Sequence, residues 1–339
     1  MDRRKFMVQA MAGYTAWGAT GRIRIAFLGG SHSHGLDKAK VVKASPHFEL
    51  AGIWEPDPAV LAQYTALGIA KRERDEILSD TTISVVAVES DVKDHAQHGL
   101  RVLEAGKHVH LEKPPADNLE AVRRMVDLAR NKALVFQTGY MWRYNPAIMA
   151  ALEAARRGWL GDVYLVRGMM NTLIPAERRP EWAAFKGGQM FEQGPHMIDP
   201  IVRLLGRPQR VTPFLHKHGK YNDRLMDNTA AVLEYPQALG IVQSSTLQPN
   251  ASLHRTLEIQ GTNGTAAVRP IEPPVLQIDL ATAAGPYKAG KQMVAVPPYK
   301  RYESDFEELA AAIRGERPLT VSLDEELLLQ ETLMRACGM

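Results

Sequence analysis

The sequence predicts an α/β chain in two parts: an N-terminal doubly wound parallel sheet, and a C-terminal α+β domain on a large, mostly antiparallel open sheet. Two observations predict this. Between Arg22 and residue 142, short apolar runs alternate with amphipathic stretches of helical period, and repeated strand–helix–strand order with right-handed crossovers gives a parallel sheet. Beyond residue 142 the strands lengthen and follow one another, with a hairpin turn at Thr262–Thr265, as antiparallel pairing allows. These shifts divide the chain into a leader over 1–21, a first domain over 22–142 and a second over 143–339.

The elements follow in order. RIRIAFLGG is a buried strand that enters a glycine turn. HFELAGIWEPDP is a second strand ending at Glu55, PAVLAQYTALG a short helix and ISVVAVESD a third strand. DHAQHGLRVLEAGK is amphipathic, with Ala96, Leu100 and Leu103 on one face and Gly106 as C-cap. HVHLEKPP is the next strand, and NLEAVRRMVDLARNK a helix whose core stripe is Leu119, Val122, Met125, Val126 and Leu128. ALVFQTGYMW is a strand, NPAIMAALEAARRG a helix, VYLVRGMMNTLI a strand, and EQGPHMIDPIVRLLG a helix with polar groups in its first turns. The strands of the second domain then run from Asn228, and two helices, YESDFEELAAAIRG and SLDEELLLQETLMRAC, close the chain. No internal repeat or low-complexity segment occurs.

Of the 339 residues, 45% are hydrophobic and 23% charged, an ordinary globular composition at a length that suits two domains. Lys and Arg number 41 against 38 Asp and Glu, a net +3, part of which sits in the leader. No basic stripe interleaved with aromatics exists, so nucleic acid is not an expected partner. Cys337 is the only cysteine, which excludes an intrachain disulfide and a cysteine metal cage. No apolar run is long enough to cross a bilayer, so stable membrane insertion is not expected. The leader MDRRKFMVQAMAGYTAWGATG resembles a twin-arginine export signal, which would carry a folded protein to the periplasm. Its apolar segment is short and broken by Gln9, and a cytoplasmic protein with a basic tail is the alternative.

Four stretches carry chemistry. In AFLGGSHSHG a glycine turn joins strand to helix, where backbone N–H groups and a helix N-terminus can receive a pyrophosphate. Only Gly29 keeps the register of G-x-G-x-x-G; Ser31 and His34 stand at the other glycine positions, so an ordinary turn is the alternative. Ser31 and Ser33 are candidate phosphate donors, with His32 along the turn. Glu55 closes the second strand, where an acid can bond the ribose 2′-hydroxyl of NAD and repel the extra phosphate of NADP. Pro56, not an arginine, follows it, which favours NAD; a solvated strand-end carboxylate is the alternative. Glu112-Lys113-Pro114 ends a strand at the carboxyl edge of the sheet, where open α/β folds bind ligands. A lysine there can serve as acid or base, or form a plain surface ion pair. In GGQMFEQGPHMIDP, Glu192, His196 and Asp199 share one helical face. No metal is expected there, because no third ligand accompanies the acid–histidine pair; a structural His–Asp pair is the alternative. The pairs His32/His34, His108/His110 and His216/His218 read as strand alternation.

In this order the stretches resemble the Gfo/Idh/MocA family of glucose–fructose oxidoreductase, inositol dehydrogenase and rhizopine catabolism proteins. The resemblance covers nearly all of residues 22–336 and rests on EAGKHVHLEKP and GGQMFEQGPHMID. It implies that the first domain is a Rossmann nucleotide-binding domain and that the cofactor is NAD, with NADP the lesser expectation. It implies further that Lys113 projects toward nicotinamide and the substrate hydroxyl, with Glu112 near the nicotinamide ribose. Ser90 and His95 would lie beside the cofactor. His196 matches the family's catalytic histidine, Glu192 stands where aspartate is usual, and Asp199 matches a substrate-pocket acid. Oxidising a secondary alcohol requires a base for the hydroxyl proton, so His196 or Lys113 is expected as that base and the other as the group that orients the oxygen. The chain departs from the family at its glycine fingerprint, at Asp91, where a proline is usual, and at the longer Glu192.

The expected activity is an NAD(P)-dependent oxidoreductase moving hydride to or from a secondary alcohol carbon of a sugar, sugar derivative or cyclitol. A glycosidase or lyase that oxidises its sugar transiently with tightly bound NAD is a second reading, which export would suit. A non-catalytic nucleotide-binding regulator is a third, and the intact Lys113 and His196 argue against it. The expected partner is a small carbohydrate or cyclitol. Relatives pair through the open face of the C-terminal sheet, which implies a homodimer or homotetramer.

Overall fold

The computed structural model describes residues 21–339. The leader, and with it the export signal, lies outside the described residues save for Gly21. Five parallel strands make the first sheet: β1 (Ile23–Leu28), β2 (Phe48–Trp54), β3 (Val85–Val88), β4 (His108–Leu111) and β5 (Phe136–Thr138), in the order β2-β1-β3-β4-β5. Helices α1 (Gly35–Ala44), α2 (Pro58–Thr65), α3 (Arg74–Ser79), α4 (His95–Glu104) and α5 (Leu119–Asn131) connect them. Alternation sorts the strand side chains onto two covered faces. Ile25, Phe27, Val85 and Ala87 pack with Ala39 and Val42 of α1. Ala26, Leu28, Val86 and Val88 pack with Val102 and Leu103 of α4 and Val122 and Met125 of α5. Burial on both faces is why these strands read as continuous apolar runs. The strand order reverses between β1 and β3, which opens a crevice at their carboxyl ends.

The second sheet has eight strands: β6 (Val163–Met169), β7 (Arg210–His216), β8 (Asn228–Glu234), β9 (Leu239–Ser245), β10 (Thr256–Gly261), β11 (Gly264–Val268), β12 (Leu276–Leu280) and β13 (Gly290–Val294). Their order is β13-β12-β11-β10-β6-β9-β8-β7, antiparallel except for β6 beside β9. Thr262 and Asn263 turn the β10–β11 hairpin, with Gly261 opposite Gly264. One face packs on α6 (Pro146–Arg156) and α9 (Pro195–Leu205), and the other stays open. The helix expected from EQGPHMIDPIVRLLG is two helices. After α7 (Arg179–Ala183), α8 (Gln189–Gln193) ends at Gly194 and α9 begins at Pro195, because Pro195 has no N–H with which to continue α8.

The last two helices return to the first sheet. Phe306 of α10 (Glu303–Ile313) packs edge-on against Phe48 and at a tilt against His110, at ring separations of 5.9 and 4.8 Å. Helix α11 (Leu323–Ala336) packs between α5 and α9. Arg143, in the turn after β5, locks this junction: its guanidinium grips both oxygens of Glu326 on α11 at 2.6 and 2.9 Å, and its Nε donates to Asp199 on α9 at 2.8 Å. All three side chains are buried. Arg143→Met strips two buried carboxylates of their main partner, and the expected loss is about 3–5 kcal/mol in urea denaturation. A loss below about 1 kcal/mol would mean that the three charges are solvated.

Candidate functional site

The turn between β1 and α1 is built on close approaches. Gly29 has φ of +78°, and a Cβ there would fall 2.5 Å from Ser90. A Cβ on Gly30 would fall 2.5 Å from the Tyr64 ring, whose hydroxyl donates to the Gly30 carbonyl at 2.9 Å. Beyond the glycines the backbone N–H groups of Ser31 and Ser33 have no partner among the described residues, and α1 has no side-chain cap. These donors at a helix N-terminus suit an anion. Glu55 sits directly after β2, buried, accepting from the Gly30 N–H at 2.6 Å and the Asp57 N–H at 2.8 Å. Gly29, Ser31, Trp54, Glu55, Ser90 and His98 line a cavity of about 340 Å³ that Asp57, Arg74, Asp91 and Asp94 also border.

Beneath this turn lies an ion cluster that the sequence did not disclose. Lys38, fully buried on α1, donates to Glu89 at 2.8 Å, contacts His110 Nε2 at 2.9 Å and bonds Glu112. Glu112 is fully buried, with His34 Nδ1 3.2 Å from its other oxygen. Burial works against the charge on Glu112, but Lys38, His34 and His32 outweigh it and hold the carboxyl well below its usual range. Burial dominates at Glu89 and pushes it up to about 8 despite Lys38, so Glu112 carries the charge and Glu89 the proton at neutral pH. His32, His34 and Glu112 bring three ligand-capable atoms within 4.8 Å of one another. Lys38 already neutralises that carboxylate, so the set is balanced without a metal ion. His95 spans Ser90 O at 2.9 Å and Pro114 O at 2.7 Å, and burial keeps its ring neutral, so it donates to one carbonyl at a time. His98 Nδ1 meets the Ser90 hydroxyl at 2.9 Å.

Lys113 follows β4 and is 1% exposed. Its ammonium donates to Glu192 Oε1 at 2.6 Å and to the Glu192 carbonyl at 3.3 Å, joining the first sheet to α8. His196 lies on the first turn of α9, 3% exposed, and neither ring nitrogen has a hydrogen-bond partner among the described residues. Burial first, and the positive charge of Lys113 second, keep it neutral. Burial also raises Glu192, against the pull of Lys113. Glu192 therefore bonds Lys113, and His196 lies within range of the same charge, but the two stand on separate helices, α8 and α9, and not on the one helical face that the spacing predicts. Asp199 does not join them: Arg143 takes one of its oxygens at 2.8 Å and Arg203 the other at 3.4 Å.

Two family models match the chain, the NAD-binding Rossmann domain of the GFO/IDH/MocA oxidoreductase family over residues 23–140 and the GFO/IDH/MocA C-terminal domain over 148–267. The chain belongs to this family. A trans-1,2-dihydrobenzene-1,2-diol dehydrogenase from Bos taurus is 30% identical over 57% of this chain and 56% of its own length. The chain thus spans about half the length of the curated relatives it matches. Among solved structures, a putative NADPH-dependent oxidoreductase from Desulfitobacterium hafniense shares the fold at a TM-score of 0.83 and 17% identity, over 94% of this chain and 95% of its own. A levoglucosan dehydrogenase, solved with NADH and levoglucosan, does so at 0.80 and 20% identity, over 94% and 98%.

The nucleotide of this family fits the crevice. The glycine approaches leave the turn open, and the free amides and uncapped helix match a pyrophosphate. Sequence reasoning passed over Gly30, Tyr64, Lys38, Glu89, Arg74, Tyr140 and Trp142. A lysine at the position of an apolar stripe, as Lys38 is between Gly35 and Val42, is the one signal that pointed to any of them.

The buried histidines and acids set opposite limits on stability with pH. Burial holds His98 and His108 at about 4 and His110 at about 3, against 6.5 when unfolded, so unfolding takes up protons below pH 6.5 and stability falls there. Burial raises Glu89 to about 8 and Asp305 to about 7, so unfolding releases protons as pH rises through these values and stability falls again. Thermal midpoints from about pH 5 to 9 are expected to peak near neutrality. In the Glu89→Gln, Asp305→Asn double variant the fall above about pH 6.5 should flatten; an unchanged alkaline limb would refute the assignment.

Proposed function

We propose that the chain is an NAD(P)-dependent dehydrogenase or reductase that moves a hydride to or from a secondary alcohol carbon of a sugar, sugar derivative or cyclitol. The observation that carries this is the buried Lys113–Glu192 pair beside the unpartnered, neutral His196, at the carboxyl edge of a nucleotide-binding sheet. Bound nucleotide would supply the hydride acceptor or donor. The turn amides of Ser31 and Ser33 and the start of α1 would hold its phosphates, and the cavity beside Glu55 its adenosine half.

The protein's own groups divide the proton work. Glu192 accepts a hydrogen bond from Lys113 and fixes its position, so that Nζ donates to the substrate oxygen and stabilises negative charge on it. His196 is neutral with a free nitrogen, so it takes the hydroxyl proton in oxidation and returns it in reduction. Glu112, balanced by Lys38, fixes the floor of the site. Glu55, Asp57, Asp91 and Asp94 border the adenosine cavity, while Arg74 is paired with Asp75; this acid surplus favours NAD over NADP. The similarity to dehydrogenases named for dihydrodiol and levoglucosan substrates supports the alcohol class. The open face of the second sheet, with Tyr164, Phe214, Leu239 and Met293 exposed, is the surface for self-association, and export of the loaded protein stays part of the proposal.

Two measurements test it. Protein purified without added nucleotide is denatured and any released NAD(H) or NADP(H) identified, then refilled by titration; binding of neither nucleotide would overturn the reading. In a panel of sugar and cyclitol alcohols scored by NADH formation, Lys113→Ala and His196→Ala are each expected to lower kcat by about 100-fold or more. Near-normal turnover in both variants would remove the acid–base assignment.

A further inference from the structure

Three polar atoms around the reactive pair are buried without a hydrogen-bond partner among the described residues: His196 Nδ1, Tyr140 Oη and Trp142 Nε1. Tyr140 and Trp142 are each 2% exposed. Both belong to the turn after β5, and their rings lie 6.1 and 5.0 Å from that of His196. Folded proteins leave few such atoms unpaired, and a group of them at a reactive centre marks a place that water or a ligand completes. Two of the three lean toward donating. An indole N–H can only donate, and a phenol hydroxyl donates readily.

The surroundings extend the imbalance. The guanidinium of Arg255 lies 5.8 Å from the Trp142 ring. Its Nε donates to Asn171 O at 3.0 Å, and its two terminal nitrogens have no partner among the described residues. Of the carboxylates that could receive the hydroxyls of a neutral polyol, Asp199 has both oxygens on arginines, Arg143 and Arg203, and Glu192 has Oε1 on Lys113. On the Trp142 side of His196 the unpartnered groups are donors, the indole N–H, the Tyr140 hydroxyl and the terminal nitrogens of Arg255. We propose that the substrate carries an anionic group, a carboxylate or phosphate, received by Arg255 together with the Trp142 N–H and the Tyr140 hydroxyl. The substrate is then an acidic sugar derivative and not a neutral polyol. The inference rests on the hydride-transfer reading, whose site it fills, and it orients the alcohol carbon toward Lys113 and His196. Guanidinium is the group suited to this task, because its planar fork matches two oxygens of one anion.

The test is calorimetric titration of the NAD⁺-loaded protein with D-glucuronate, D-glucose 6-phosphate and D-glucose. At least one anion is expected to bind about tenfold tighter than glucose, or better. Preference for glucuronate identifies a carboxylate, preference for the phosphate ester a phosphate. Arg255→Gln should erase most of the preference at an unchanged thermal midpoint, Arg255→Lys should keep part of it, and Trp142→Phe should erase most of it while lowering the midpoint, because its ring is buried. Equal binding of all three probes, binding of none, or a preference that survives Arg255→Gln would overturn the proposal while leaving the redox reading intact. Failure of the wild-type protein to bind NAD⁺ or NADP⁺ would instead strike the redox reading itself.

Discussion

The Lys113–Glu192 contact is the constraint on which the site depends. Lys113 ends β4 in the first sheet, and Glu192 sits on α8, ahead of the second sheet's long helix. Both are buried, so each alone would carry a large desolvation cost. Paired at 2.6 Å they offset that cost, and the pair holds only if the two sheets keep one relative position. Function and architecture are thereby coupled: the same contact that registers α8 against β4 fixes the ammonium beside His196. The charge state of His196 follows from the same enclosure, because burial first and the charge of Lys113 second keep its ring neutral.

A second buried lysine does for the glycine turn what Lys113 does for α8. Lys38 reaches from α1 under the glycine turn to Glu89 at the end of β3 and to Glu112 at the end of β4. Three adjacent elements at the carboxyl edge are tied to one ammonium. Two carboxylates cannot both stay ionised in so dry a place, so one keeps the charge and one the proton. Gly139, at the end of β5, has no Cβ because one would fall 2.8 Å from the Lys38 ammonium and 3.1 Å from Glu112. The edge of the sheet is thus shaped around a polar cluster that lies directly beneath the degenerate glycine fingerprint.

Periodicity exposed the parts of this molecule that depend on local patterns. The two-face burial of β1 and β3, the Asn263 hairpin and the closing helices all follow from alternation, helical period and turn chemistry within a few residues. The Glu-Lys-Pro strand end, Glu192 and His196 were legible for the same reason. Asp199 was not, because helical spacing puts it on the face of His196 while its partner, Arg143, comes from a turn 56 residues earlier in the chain. Local spacing cannot reveal that a distant cation claims a carboxylate. Lys38 and Arg255 escaped on the same account, since each gains its meaning from partners on other elements. The break at Gly194 was legible in principle, as Pro195 announces it, but the apolar period runs across it unbroken.

The placement of Glu192 reaches back to the end of the chain. The turn that leads into α8 contains Gly187 and Gly188, with φ of +89° and +51°. A Cβ on Gly187 would fall 2.5 Å from the sulfur of Cys337, which is buried just past the end of α11. Close contact between this turn and the cysteine therefore requires glycine for two reasons, backbone conformation and space. Helix α11 is itself fixed at its other end by Glu326 on Arg143 and midway by Gln330 on the Ala116 carbonyl, two residues beyond the Lys113-Pro114 junction. One helix thus braces both sides of the Lys113–Glu192 pair, the strand end through Gln330 and the α8 turn through Cys337. A buried ion pair assembled from two domains needs a third element that touches both, and the last helix of the chain is that element.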